Sequence, residues 1–299
     1  MKNKVLGTIL LSTLLLSSAV SVSAATADTV KSSGSVNVDE GSIKPTDPDK
    51  PGDGGNDKDP EKPTDPVIPD VDPKDPGNGG FTPGNPDGGA LTLLGASNLK
   101  FGTINISSNN IQKYAAPAKV LGATQDPTTG ALTPTGTNKT VGNYVQFGDI
   151  RSEQTGYTLT AQLTKQFTLY DKDGKTPLGT LDNASINYTN GILTHEDGAN
   201  ITGGVDGLDL TSTMELVQDS GTAQQVVNLP SGKAPAKGIL SVEYGQTKEY
   251  DDKYTVKGTA QKETEDKSIA LKVPSRTATN MKKGHYLAEI TWTLTDGQP

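Results

Sequence analysis

Residues 286–294 alternate between apolar and polar, with Leu287 the single exception. Tyr286, Ala288, Ile290, Trp292 and Leu294 fall on one side, with Glu289, Thr291 and Thr293 opposite. Period two is the repeat of a β-strand with one buried face. The same spacing recurs at Tyr157, Leu159, Ala161 and Leu163, and again at Ile269, Leu271 and Val273. Threonine is frequent between these positions, and Asp173-Gly174 and Asp197-Gly198 supply turn chemistry. No apolar stripe of helical period has useful length. These patterns predict an all-β chain, a β-sandwich (Ig-like) of two sheets packed face to face, over residues 91–299.

Residues 41–90 read differently. They hold 11 of the 19 prolines, 10 glycines, 11 acidic residues and five lysines. Each proline fixes φ and pushes its predecessor toward extended backbone, while the acidic groups repel one another. The expectation for residues 28–90 is a disordered, acidic Pro/Asp-rich stalk. Thirteen of the 14 aromatic residues lie after it. Of the net charge of −8, the stretch 41–90 carries −6 and residues 91–299 only −2.

The opening residues suggest an address. Met1-Lys2-Asn3-Lys4 precedes an apolar run from Val5 to Val20, followed by Ser21-Val22-Ser23-Ala24-Ala25-Thr26-Ala27. A basic start, a short apolar stretch and small residues describe a secretory signal peptide over residues 1–27. Cleavage after Ala24 or after Ala27 fits equally well. No later run is apolar enough to span a bilayer, so the mature chain is expected to have no membrane span. The final residues carry no sorting motif or hydrophobic tail, so the mature chain is expected to have no covalent surface anchor.

Composition closes several functional classes. The chain has no cysteine, which excludes disulfides, thiolate metal sites and a cysteine nucleophile. It has two histidines. Its acidic balance argues against nucleic-acid binding, which needs a basic surface. Asp171-Lys172-Asp173-Gly174 starts like a calcium loop but lacks the third alternate ligand and a glutamate at position twelve, so a β-turn explains it better. His195-Glu196-Asp197-Gly198 reads as a Gly-rich loop with no nucleophile motif nearby. His285 is expected to be exposed. Carboxylate pairs such as Asp251-Asp252 fit a solvated face better than a glycosidase pair. The expectation is a protein without enzyme activity, metal site or cofactor.

One four-residue pattern occurs twice, as Tyr157-Thr158-Leu159-Thr160 and Trp292-Thr293-Leu294-Thr295. On a strand, each copy places an aromatic ring and a leucine on the same side. Two readings stay open: both pairs fill the core, or Tyr157, Leu159, Trp292 and Leu294 form a ligand-binding patch.

The surroundings of the two copies carry a resemblance. Residues 287–294, Leu-Ala-Glu-Ile-Thr-Trp-Thr-Leu, resemble the distal motif of the WxL domain family of Gram-positive surface proteins. Ile269-Ala270-Leu271-Lys272-Val273-Pro274 is similar to the stretch that precedes that motif. Asp149-Ile150-Arg151 followed by Gly156-Tyr157-Thr158-Leu159 resembles the proximal motif, and Asn98-Leu99-Lys100-Phe101-Gly102 the opening of the domain. Tyr157 stands where many members carry tryptophan. The resemblance covers most of the mature chain. It implies a secreted protein on the extracellular cell surface, bound non-covalently to the cell wall, with peptidoglycan as ligand through Tyr157, Leu159, Trp292 and Leu294. An alternative also implied by the family is a subunit that docks to other surface proteins of the same operon type and adheres to host matrix proteins. The near-neutral charge of residues 91–299 argues against adsorption by bulk charge to an anionic wall, and for shaped contacts.

Overall fold

A computed structural model describes residues 36, 38, 41–70, 80–153, 155–201, 206–218, 222–231 and 237–297. Residues 40–299 form one compact unit, which holds all the elements that follow. In chain order the strands begin with β1 (Lys58–Asp59), β2 (Lys62–Pro69), β3 (Phe81–Pro83), β4 (Leu91–Ser97), β5 (Ile111–Tyr114) and β6 (Ala118–Gln125). They continue with β7 (Leu132–Val141), β8 (Asn143–Asp149), β9 (Tyr157–Tyr170), β10 (Pro177–Thr180), β11 (Ser185–Tyr188), β12 (Gly191–His195) and β13 (Asp209–Leu210). The last are β14 (Met214–Val217), β15 (Gln224–Leu229), β16 (Gly238–Tyr244), β17 (Thr255–Lys257), β18 (Ile269–Val273) and β19 (Tyr286–Asp296). One short helix, α1 (Ser275–Asn280), separates the last two strands. Among the described residues no helix is long and apolar enough to cross a membrane.

The strands pair antiparallel in four sheets. One runs β17-β12-β16-β8-β4-β3, a second β10-β9-β15-β13 with β19 also on β9, a third β14-β11-β18-β5, and a fourth β1-β2-β6-β7. Ring contacts show how the first three enclose a common core. Phe147 of β8 meets Tyr157 of β9 edge to face at 5.3 Å. Tyr188 of β11 touches Tyr244 of β16 at 4.8 Å and Trp292 of β19 at 6.2 Å. The alternating segments of the sequence supply this core: Tyr157, Leu159, Ala161 and Leu163 are buried along β9, as are Ile269, Leu271 and Val273 along β18. The all-β expectation is realised, with four antiparallel sheets in place of the two expected.

The segment expected to be a stalk joins the fold at residues 41–69 and 80–90. Val67 and Ile68 of β2 are buried on opposite faces of the fourth sheet. Phe81 of β3 stacks on Tyr144 at 5.3 Å, and Ile43 bridges to Gly89. The prolines of β2 are tolerated because each part of the strand pairs on one side only, residues 62–66 with β1 and residues 67–69 with β6, and a fully buried Val or Phe contributes about 1.5–3 kcal/mol. Four such side chains are enough to bring a polar segment onto a surface that offers partners. Gly95 makes room for one of them: its φ is +151°, and a Cβ there would fall 2.3 Å from the Phe81 ring. Backbone and side-chain bonds fasten the rest. The buried Gln146 side chain accepts from the Lys58 amide (2.8 Å) and donates to the Lys58 carbonyl (2.9 Å), as a neighbouring strand would. Thr194 Oγ1 donates to the Pro60 carbonyl at 3.0 Å. The remaining stalk positions, residues 28–35, 37, 39–40 and 71–79, lie outside the described residues, as does the expected signal peptide.

Candidate functional site

The two aromatic-Thr-Leu-Thr runs lie side by side. β19 pairs antiparallel with β9, placing Leu294 opposite Leu159, Trp292 opposite Ala161 and Asp296 opposite Tyr157. A core strand near the middle of the chain thus takes the last strand as its neighbour. Burial divides the four candidate residues. Tyr157 and Leu159 have no exposed surface. Trp292 and Leu294 are half-buried on the inward side of β19, whose outward residues are all exposed. Direct contact with a ligand is therefore open only to the β19 pair. Burial first, and the Asp149 charge second, push the Tyr157 hydroxyl up, so it stays protonated. That hydroxyl has no hydrogen-bond partner among the described residues.

A charged clamp holds the ends of the two strands together. Arg151 donates to both oxygens of buried Asp149, from Nε at 2.9 Å and from its second terminal nitrogen at 2.8 Å. It also donates to the Gly156 carbonyl at 2.9 Å and the Thr155 hydroxyl at 2.8 Å. Its remaining terminal nitrogen pairs with Asp296, the last residue of β19. The Gly297 amide donates to the same Gly156 carbonyl at 3.1 Å. Gly156 allows this turn because its φ is +83° and a Cβ would sit 2.4 Å from the Leu229 carbonyl. The Thr155 hydroxyl, and then the Arg151 guanidinium, hold the Asp296 carboxyl below its usual range. The hydrogen bonds it donates to Asp149 keep Arg151 firmly charged.

Beside this pair lies a groove of about 860 Å³, between β19 and β9 on one side and β3 and β4 on the other. Ala288, Ile290 and Trp292 line it from β19, Phe167 from β9 and Leu93 from β4, together with Phe101. Lys165, Asp171 and Glu289 bring both signs of charge to its lining, and His285 an imidazole. A family model described as WxL domain, surface cell wall-binding, matches residues 25–297. The chain belongs to the WxL domain family. Neither a curated protein nor a solved structure matches it.

In this WxL domain the two motifs are one structural unit. The proximal Asp149 and Arg151 are the clamp, Tyr157 and Leu159 the buried strand, and Trp292 and Leu294 the half-exposed neighbour. The clamp partners Thr155 and Asp296 are absent from the sequence-based site, since no spacing rule joins residues 141 positions apart. Other constellations resolve locally. Asp171 accepts from the amides of Lys175 (3.0 Å) and Thr176 (3.2 Å), closing the β9–β10 turn. His195 was expected in a loop; it ends β12 and is buried, because β12 pairs with β16 through His195 opposite Leu240. Burial pushes its imidazole down. His285 is exposed, as expected. Among the described residues no group of three or more acidic or histidine side chains is placed to hold a metal.

A buried acidic cluster has no counterpart in the sequence reading. Asp57, Asp59 and Glu61 come from the segment that includes β1, and Glu243 comes from β16; Asp57, Asp59 and Glu243 are buried. Lys139 pairs with Asp59, the Glu61 carboxylate accepts from Thr247, and one Glu243 oxygen accepts from the Gly142 amide at 2.8 Å. Burial pushes the Asp57 carboxyl up to about 7 against the opposing hydrogen bonds from Thr46. Burial likewise raises Glu61, and raises Glu243 well above its usual range.

Proposed function

We propose that this protein is exported by a signal peptide over residues 1–27 and held non-covalently on the Gram-positive cell wall, with peptidoglycan bound directly in the groove beside β19. The observation that carries this reading is the position of Trp292. It belongs to the motif that names a cell wall-binding family, and it is the motif aromatic that reaches a concave surface. Tyr157 and Leu159 act from beneath, fixing the strand on which Trp292 stands. An aromatic side chain at a groove wall can pack on the apolar face of a ligand while keeping most of its own contacts. The near-neutral domain charge agrees with shaped contact rather than electrostatic adsorption. The proposed role is binding, in keeping with the cell wall-binding description of the family.

The test is sedimentation of the purified chain with peptidoglycan stripped of proteins, compared with peptidoglycan carrying its native wall proteins. Direct binding predicts equal retention on both. A second reading, docking to another surface protein that adheres to host matrix, is favoured by Leu178 and Leu287, exposed leucines on the two strands that flank the end of β9. It predicts retention only where those proteins remain.

A further inference from the structure

β19 is an open edge. It pairs with β9 along one side, and no hydrogen bond from another described element reaches its other side. Native edges of this kind are usually blunted by proline, lysine or bulges. Residues 286–296 contain neither proline nor lysine. Their irregularities fall between Leu287 and Ile290, which leaves residues 290–296 in unbroken register. β4 runs near β19 without bonding to it, and the groove occupies the space between them. We infer that this edge takes a short extended peptide, the peptide stem of the wall polymer, as an added strand over the groove. The inference rests on the groove being the wall-binding site.

Three features select a peptide over a sugar chain. An unpaired strand edge presents alternating N–H and C=O groups, which match another amide backbone and give affinity through main-chain bonds. The β19 wall steps through Ala288, Ile290 and Trp292 at every second residue, so small and aliphatic side chains of an added strand would find apolar partners. The lining carries Lys165 and His285 together with Asp171 and Glu289. A wall stem peptide has free carboxylates, an amino group and methyl side chains, and so matches both signs. The groove volume of about 860 Å³ suits a segment of a few residues, within the usual range for small-ligand sites.

Hydrogen exchange on the full chain tests this, with three probes: stem peptides released from peptidoglycan, glycan strands stripped of stems by an amidase, and intact peptidoglycan. The expected result is at least tenfold slower exchange of alternate amides within residues 290–296 when stem peptides are added, and no change with stripped glycan. Binding of stem peptides without protection of those amides overturns the placement on β19. Binding of stripped glycan equal to that of intact peptidoglycan overturns the peptide assignment and leaves groove binding standing. Failure of intact peptidoglycan to bind overturns the function on which the inference rests. Protection that grows with protein concentration alone assigns the edge to a second copy of the chain and also overturns it.

Discussion

Tyr157 and Arg151 show how differently two residues of one motif can act. The Tyr157 ring fills the core against Phe147, but its hydroxyl is desolvated without a partner. A buried hydroxyl that makes no bond costs about 1–3 kcal/mol. Tyr157→Phe should therefore hold or raise stability, by up to about 1 kcal/mol in urea melts, with wall binding unchanged. A loss of stability would mean that the hydroxyl is bonded. Arg151 is the opposite case, since it neutralises a carboxylate with no exposed surface and reaches the end of β19. Removing one partner of a buried pair costs about 3–5 kcal/mol. Arg151→Ala should lower stability by about that much and increase proteolysis near residue 296. Arg151→Lys should recover only part, because an ammonium cannot bond both Asp149 oxygens and the Gly156 carbonyl in one plane.

At the scale of elements, the alternating segments were legible and the partnerships were not. Period-two spacing located β9, β18 and β19, because a strand buried on one face must alternate. The pairing of β9 with β19 joins distant parts of the chain, and nothing local encodes it. Segment 41–69 was illegible for another reason. Its proline and aspartate content describes the average residue, whereas docking depends on a few apolar side chains and on buried bonds to Gln146 and Thr194. That docking should depend on pH. In the fold, Asp57 titrates near 7 instead of near 3.8, so the native state holds a proton that the unfolded chain has lost. Stability should then fall as pH rises from about 4 to about 7 and level off above. Glu61 and Glu243 shift in the same direction, and Lys139, paired with Asp59, is the cation of the cluster. Chemical denaturation between pH 4 and pH 8 should show the decline, and Asp57→Asn should make it shallower, leaving the part due to Glu61 and Glu243. A profile that rises with pH would contradict the burial of these acids.

For the whole molecule, the family motifs serve the fold and the surface together. One half of the pair is sealed in the core, and the other carries the same register out to a groove. The sequence reading could name all four residues without dividing these roles, because exposure depends on which neighbour covers each face. Trp292 is the residue where both roles meet. Being half-buried, it should cost about 2 kcal/mol on truncation, less than the 3–5 kcal/mol of a fully buried ring. The most direct measurement is peptidoglycan binding by the full chain carrying Trp292→Ala, with thermal melts run on the same sample. The variant should melt cooperatively at reduced temperature and bind at least tenfold more weakly under conditions where it is folded. A folded variant that binds peptidoglycan as tightly as the parent chain would contradict a binding role for Trp292.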